Sequence, residues 1–235
     1  MDPNTAPTRT LDGVATGLDD PSGLFVDTAH GELFVANFNI DSVTVYPRTW
    51  VDPNTAPTRT LTGLSGPQDL DVDTVHGELF VANFLAGSVT VYPRTWVTPG
   101  PSPTRTLSGG NTGLNGPFGL AVDTVHNELF VANFSPLLSP SVTVYSRTAS
   151  GDTGPTRTIS GLSTGLSRPQ FIAVTVSTPI PTLSEWAQIG MAALLVLGGL
   201  LALRSFGTTQ DGRRSGQALR RSSGQAESSK QEAEE

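Results

Sequence analysis

The chain has 235 residues, of which 37% are hydrophobic, 25 are glycine and 18 are proline, and it contains no cysteine. The lack of cysteine excludes disulfide frameworks, thiolate metal sites and cysteine nucleophiles. Of the charged side chains, residues 1–179 hold 15 acidic and 8 basic ones, so this region repels phosphate backbones and nucleic-acid binding is not expected.

A repeated phrase organises the chain from its beginning. The sequence Val-Asp-Thr-x-His-x-Glu-Leu-Phe-Val-Ala-Asn-Phe starts at Val26, Val72 and Val122, and a Pro-Thr-Arg-Thr element precedes each copy. A period of about 50 residues predicts a stacked repeat architecture. The units lie near 7–50, 57–96 and 103–149, with a partial fourth at 155–177.

Each unit contains four β-type runs. The first run is Gly23–Asp27 and its counterparts, the second is Glu-Leu-Phe-Val-Ala-Asn-Phe and the third is Ser-Val-Thr-Val-Tyr. The fourth, Thr-Arg-Thr-Leu or Thr-Arg-Thr-Ile, begins at Thr8, Thr58, Thr104 and Thr156. The second run is apolar on both faces, which predicts a strand covered on both sides. Gly31, Gly77 and Asn127 occupy one turn position. Since Gly and Asn best tolerate a positive φ, this turn is expected to close an antiparallel hairpin.

Four short antiparallel strands per unit are typical of a β-propeller blade. The order Pro-x-Gly-Leu-Ala-Val-Asp (Pro117–Asp123), turn, Leu-Phe-Val-Ala-Asn and Val-x-Val-Tyr resembles the NHL family of propeller repeats. The resemblance implies an all-β fold, a partial NHL-like propeller of three to four blades over residues 1–178. Asn37, Asn83 and Asn133 stand where that family often has Asp.

The fourth unit is incomplete, and its first strand is expected at Phe171–Ser177. Because closed propellers need roughly four to eight blades, we expect further blades upstream, with a secretion signal. The start at Met1 matches the internal repeat at Val51, as a start codon inside a repeat would. Two copies joining into a six-bladed ring is the other way to close.

Candidate chemistry in the repeats is interpreted as structural. Ser163 lies in a Gly-x-Ser-x-Gly pattern, but no histidine follows it, so a turn is expected rather than a nucleophile elbow. One histidine and one aspartate recur per unit, and we expect exposed turn histidines beside aspartates that cap backbone N–H groups. These residues are His30, His76 and His126 with Asp27, Asp73 and Asp123.

No catalytic, cofactor-binding or metal-ligating residue is predicted, because the units are nearly uniform and an enzymatic site needs different residues on different blades. The arginines of the Pro-Thr-Arg-Thr elements are interpreted as outer-strand charges that blunt an edge. They are Arg9, Arg59, Arg105 and Arg157. Glu32, Glu78 and Glu128 are expected to pair with them across strands.

The composition changes after the repeats. Residues 189–203 are an uninterrupted apolar and glycine run, and the stretch 186–203 is long enough, at about 27 Å, to cross a membrane as one helix. Trp186 and the basic residue Arg204 would flank it at the two interfaces. The arginines beyond place the C-terminal side in the cytoplasm and the repeats outside. The polar tail 205–235 is predicted to be disordered.

A short motif precedes this helix. Segment 179–204, with Ile-Pro-Thr-Leu-Ser-x-Trp, an apolar helix and arginine, resembles the IPTL-type C-terminal sorting signal of Gram-negative envelope proteins. The motif residues are Ile180, Pro181, Thr182, Leu183, Ser184 and Trp186. The resemblance implies an exosortase-like membrane protease as partner. Ala187 replaces the glycine usual in that family.

The sequence therefore predicts a non-catalytic protein of the cell envelope, exposed at the surface and anchored through its sorting signal. Its role would be a binding or structural scaffold for an extracellular partner that the sequence does not name. The alternative is a fragment of a lactonase-like propeller hydrolase whose active-site blades lie upstream. A third interpretation is a gene fragment without independent function.

Overall fold

The structure, a computed structural model, describes residues 5–134 and 140–175. Within these ranges the chain is all-β, as predicted, with one short 3₁₀ turn at Leu162–Thr164. None of the described residues belongs to a helix with the length and hydrophobicity needed to cross a membrane. The predicted transmembrane helix 186–203, the sorting motif 180–186 with Arg204, and the tail 205–235 lie outside the described residues.

The described strands form three sheets of four. The first sheet contains β1 (Pro21–Asp27), β2 (Glu32–Asn37), β3 (Ser42–Pro47) and β4 (Arg59–Leu61). The second contains β5 (Pro67–Asp73), β6 (Glu78–Asn83), β7 (Ser88–Pro93) and β8 (Arg105–Leu107). The third contains β9 (Pro117–Asp123), β10 (Glu128–Asn133), β11 (Ser141–Ser146) and β12 (Arg157–Ser160).

Every neighbouring pair within a sheet is antiparallel, and the strands follow chain order from inner to outer. Each outer strand comes from the Pro-Thr-Arg-Thr element of the following sequence unit, so a sheet is offset from the repeat counted along the sequence. The turn prediction is confirmed: φ is 69° at Gly31 and Gly77 and 56° at Asn127.

The three sheets stack so that β1 lies against β5, and β5 against β9. At Gly23 the neighbouring strand is so close that a Cβ would stand 2.6 Å from Asp69 Cα. Gly119 is approached in the same way, with 3.0 Å to Phe171 Cα. Residues 171–175 therefore lie beside β9 as β5 lies beside β1, in the place of a fourth inner strand. This arrangement has the form of consecutive blades of a partial propeller.

The cores lie between sheets and explain why the second run is apolar on both faces. In β6, Leu79 and Val81 face the first sheet, whereas Phe80 and Ala82 face the third, and all four are fully buried. Alternation along one strand thus supplies both cores. The central sheet is covered on both sides, as predicted.

The buried asparagines at the ends of β2, β6 and β10 hold the loop before each sheet. Asn37 Oδ1 accepts from Asp19 N at 3.2 Å, while its Nδ2 donates to Thr44 Oγ1 at 3.0 Å. Asn83 and Asn133 repeat both contacts. An ionised Asp here would have no donor for the Val35 carbonyl. An amide at this position therefore makes a contact that a carboxylate could not make.

Candidate functional site

The turn between the first two strands of each sheet holds an aspartate–histidine pair. Asp27 Oδ1 accepts from His30 N at 3.0 Å, and its Oδ2 contacts His30 Nδ1 at 2.8 Å. Asp73 with His76 and Asp123 with His126 repeat the arrangement. The predicted capping role of the aspartates is confirmed. The histidine side chains are 39–70% exposed, so they face solvent while the aspartate fixes the ring.

An arginine from the next sheet reaches each of the first two turns. Arg94, which follows β7, contacts Glu32 Oε2 at 2.6 Å and Asp27 Oδ2 at 3.3 Å in the first sheet. Arg147 after β11 makes the same two contacts, with Glu78 and with Asp73. The side chains of Arg94 and Arg147 are only 13% and 9% exposed. Each arginine therefore clamps two successive sheets together.

The predicted pairs within each sheet are also present. Arg59 contacts Glu32 at 2.7 Å, Arg105 contacts Glu78 at 2.5 Å, and Arg157 contacts Glu128 at 2.7 Å. Arg9 differs, because its Nη1 donates to the Arg48 carbonyl at 2.7 Å and its guanidinium lies over the Trp50 ring. The expected glutamate pairing is therefore confirmed for Arg59, Arg105 and Arg157, whereas Arg9 contacts a backbone carbonyl and a tryptophan ring instead.

These contacts shift the acidity of the carboxyl groups. Burial alone would raise the pKa of Glu32, but the hydrogen bond and charge of Arg59, with Arg94, hold it below its usual value. Burial would also raise the pKa of Asp27, but the hydrogen bonds and charge of His30, with the charge of Arg94, outweigh burial and hold this pKa below its usual value. Glu32 and Asp27 are thus ionised at neutral pH, and they stabilise the fold as charged groups.

A cleft of about 320 Å³ runs along the inner strands β1, β5 and β9 and residues 171–174. Two carboxyl groups of β5, Asp69 and Asp71, line it among otherwise apolar side chains. Their positions in the repeat hold Gly23 and Phe25 in the first sheet. The cleft is thus the place in the described structure where one unit carries chemistry that the others lack.

The uniformity predicted from the sequence is wrong at these two positions. The missed signal lies in the sequence itself, where Asp-Leu-Asp-Val-Asp of the second unit stands against Gly-Leu-Phe-Val-Asp and Gly-Leu-Ala-Val-Asp. Aligning the units residue by residue, rather than by their shared phrase, reveals both acids.

Both carboxylates join β5 to the next inner strand. Asp69 accepts from its neighbour Leu70 N and, across the sheets, from Leu120 N, each at 2.9 Å. Asp71 accepts in the same way from Val72 N and Val122 N at 2.8 Å. Burial raises the pKa of Asp69 to about 6 and raises that of Asp71. The pair therefore accepts hydrogen bonds from two amides of β9, across a boundary between sheets whose described strands no β-ladder joins.

The pKa of Asp69 predicts a stability effect with a definite sign. Since its folded pKa of about 6 exceeds the ordinary 3.8, the folded state binds the proton more tightly. The free energy of unfolding is therefore expected to fall by about 3 kcal/mol in total as the pH rises from below about 3.8 to above about 6, with about two thirds of the loss between pH 4 and 6. Urea titrations at closely spaced pH values measure this, and Asp69→Asn should remove that part of the slope.

A slope that is unchanged by Asp69→Asn contradicts this assignment. The lowered pKa values of Asp27, Glu32 and Asp123 act with the opposite sign, since their stabilisation is lost as the pH falls through the folded pKa. Their window lies below the ordinary carboxyl values of 3.8 and 4.5. The two effects are therefore separated along the pH axis.

The remaining candidate residues do not converge. Ser163 lies in the exposed 3₁₀ turn, as the turn interpretation predicted. Among residues 5–134 and 140–175, no group of three or more His, Cys, Asp or Glu is arranged to hold a metal ion.

No family model matches the chain, and no curated protein matches it. Among solved structures it is similar to hydrazine synthase of Kuenenia stuttgartiensis, with 20% identity over 68% of this chain and 40% of that one and a TM-score of 0.48. It is similar to the nidogen/laminin complex, with 17% identity over 69% of this chain and 54% of that one and a TM-score of 0.47.

A third similar structure is a putative 6-phosphogluconolactonase of Bacteroides fragilis. Its identity is 12% over 55% of this chain and 38% of that one, with a TM-score of 0.40. The chain thus spans between 38% and 54% of the length of these three structures.

Proposed function

We propose that the chain is a non-catalytic surface scaffold, an NHL-like propeller segment delivered to the cell envelope and held there by its C-terminal sorting signal. The observation that carries the proposal is the use of the recurrent polar groups. In each sheet the aspartate caps a turn, the asparagine holds a loop, and the glutamate binds arginine. Because these recurrent polar side chains are hydrogen-bonded or ion-paired within the fold, they support a structural role rather than catalysis.

The envelope location rests on the sequence of residues 179–204. The Ile-Pro-Thr-Leu-Ser-x-Trp motif, the apolar run to Leu203 and the following arginines support recognition by an exosortase-like protease and an outward-facing repeat region. A proline at position 181 supports recognition of the motif in an extended form, because the residue before proline disfavours the helical region. The cationic segment after the helix supports retention of that side in the cytoplasm.

The sorting proposal predicts a change in the mature chain. In the cells that encode the protein, we expect loss of a C-terminal epitope tag and exposure of an N-terminal tag to external protease. Pro181→Ala should leave most of the chain unprocessed at the membrane, whereas Pro179→Ala, a proline outside the motif, should be processed normally. Immunoblots of fractionated cells measure both. Equal processing of the two variants, or a cytoplasmic product, contradicts the proposal.

A second candidate function, a fragment of a lactonase-like hydrolase, is favoured by Asp69 and Asp71. They occur in one unit only and line the inner-strand cleft. Their backbone contacts to β9 favour a structural use instead. Assaying lactone hydrolysis for the full chain and for Asp71→Asn discriminates the two, since activity lost in the variant at unchanged stability supports the hydrolase.

A further inference from the structure

The two internal junctions between sheets are built alike. Each sheet has a leading face, directed at the preceding sheet, and a trailing face, directed at the next one. On the leading face of the second sheet, Leu70, Leu79 and Tyr92 pack against Phe34 and Leu61 of the first sheet's trailing face. The third sheet repeats this with Leu120, Leu129 and Tyr145 packed against Phe80 and Leu107 of the second.

The first sheet has no preceding sheet and the third has no following sheet among the described residues, and some apolar residues of these two faces are exposed. Leu24 on the leading face of the first sheet is 63% exposed, whereas its counterparts Leu70 and Leu120 are 3% exposed. On the trailing face of the third sheet, Ile159 is 52% exposed, whereas its counterpart Leu61 is fully buried. The described structure therefore presents apolar residues of one leading face and one trailing face to solvent, whereas Leu33, Val35 and Tyr46 of that leading face are buried beneath Leu11, Leu18 and Trp50.

The charges at the two faces are complementary. Arg48 holds the position of the clamping residues Arg94 and Arg147, yet it is exposed and its side chain has no partner among the described residues. At the other end, Asp123 and Glu128 contact His126 and Arg157 of their own sheet. No clamping arginine from another sheet reaches them within the described ranges. The guanidinium of Arg48 is thus free to bind a carboxylate, and the carboxylates of Asp123 and Glu128 are free to bind a clamping arginine.

We propose that a second copy of this chain docks head to tail, with the leading face of its first sheet on the trailing face of the third sheet. Arg48 then binds Asp123 and Glu128 of the other copy as Arg94 binds Asp27 and Glu32. The faces fit because they are copies of faces that already pack together. Two copies supply six sheets, within the four to eight that a closed propeller contains, and the same junction forms twice.

Docking of the second copy displaces residues 8–18 from the first sheet and residues 171–175 from the third sheet. Residues 8–18 lie on the first sheet through Leu11 and Leu18, as Leu61 and Leu64 lie on the second. No strand ladder holds residues 8–18 or 171–175. Their sequences recur, since Thr-Arg-Thr-Leu and Thr-Gly-Leu near the start match Thr-Arg-Thr-Ile and Thr-Gly-Leu in 156–166. The partner therefore replaces the contacts it displaces.

The test is the mass of the full chain in mild detergent, from light scattering after size exclusion with the detergent contribution subtracted. The expected protein mass is twice 24.6 kDa at high concentration. Arg48→Glu and Glu128→Arg should each weaken association by at least about tenfold, because each places like charges at both junctions. An equimolar mixture of the two variants should restore the dimer, since it forms one reversed and one native junction.

A matched apolar pair controls for nonspecific effects. Val26→Glu, on the leading face, should weaken association, whereas Val75→Glu, in an exposed turn of the middle sheet, should not. Circular dichroism of every variant checks that the β-structure is retained.

A monomer at all concentrations overturns the proposal and indicates that another segment or protein covers the faces. Association that is insensitive to Arg48→Glu, or a mixture that fails to restore the dimer, also overturns it.

Discussion

Replacing Glu78 by glutamine is expected to lower the free energy of unfolding by about 3 kcal/mol, because it removes the common partner of two arginines. Arg105 reaches Glu78 from within the sheet, and Arg147 reaches it from the next one. Arg147 is 9% exposed, so its charge would stay largely out of water, with Asp73 at 3.5 Å as its remaining acidic partner among the described residues. The lost stability therefore comes mainly from the contact between the second and third sheets. Equilibrium unfolding in urea measures it.

Glu128→Gln is the matched control, since it changes the same repeat position in the third sheet. Its partner Arg157 is 58% exposed, and exposed ion pairs contribute at most about 1 kcal/mol. In protein too dilute for two copies to dock, equal losses for the two variants would contradict the clamping role, because the pair within the sheet is common to both. A loss confined to Glu78→Gln assigns the effect to the contact between sheets.

The elements that local sequence dictates were predictable. The hairpin turns followed from Gly31, Gly77 and Asn127, and both buried faces of β6 followed from its unbroken apolar run. The pairing of arginine and glutamate within a sheet followed from their recurrence in adjacent strands. In each case the partner residues belong to one unit or its immediate successor, so the repeat itself carries the information.

The contacts between sheets were not predictable in the same way. Arg94 and Arg147 follow the third strand and look like surface charges of a turn, because a single unit does not show which residues of its neighbour they meet. Asp69 and Asp71 were visible in the sequence, but their role depends on the distance to β9, which is a property of stacking. Long-range packing, rather than propensity, decides both features.

The second large effect concerns the core between sheets. Phe80→Ala is expected to destabilise the protein by about 3–5 kcal/mol, because a fully buried ring leaves a cavity between the second and third sheets. Phe130→Ala changes the same repeat position on the trailing face of the third sheet. There the ring is half-buried, so we expect a loss of about 1–2 kcal/mol. Urea unfolding of both variants at low protein concentration measures the difference.

The concentration dependence of Phe130→Ala joins this prediction to head-to-tail docking. In dilute protein the trailing face meets water, and the small loss applies. At concentrations where two copies dock, Phe130 acquires the surroundings of Phe80, and the same substitution should approach the larger loss because bound partner adds to apparent stability. A large loss already in dilute protein would mean that the trailing face is covered within one chain, and docking of a second copy would then have no surface to use.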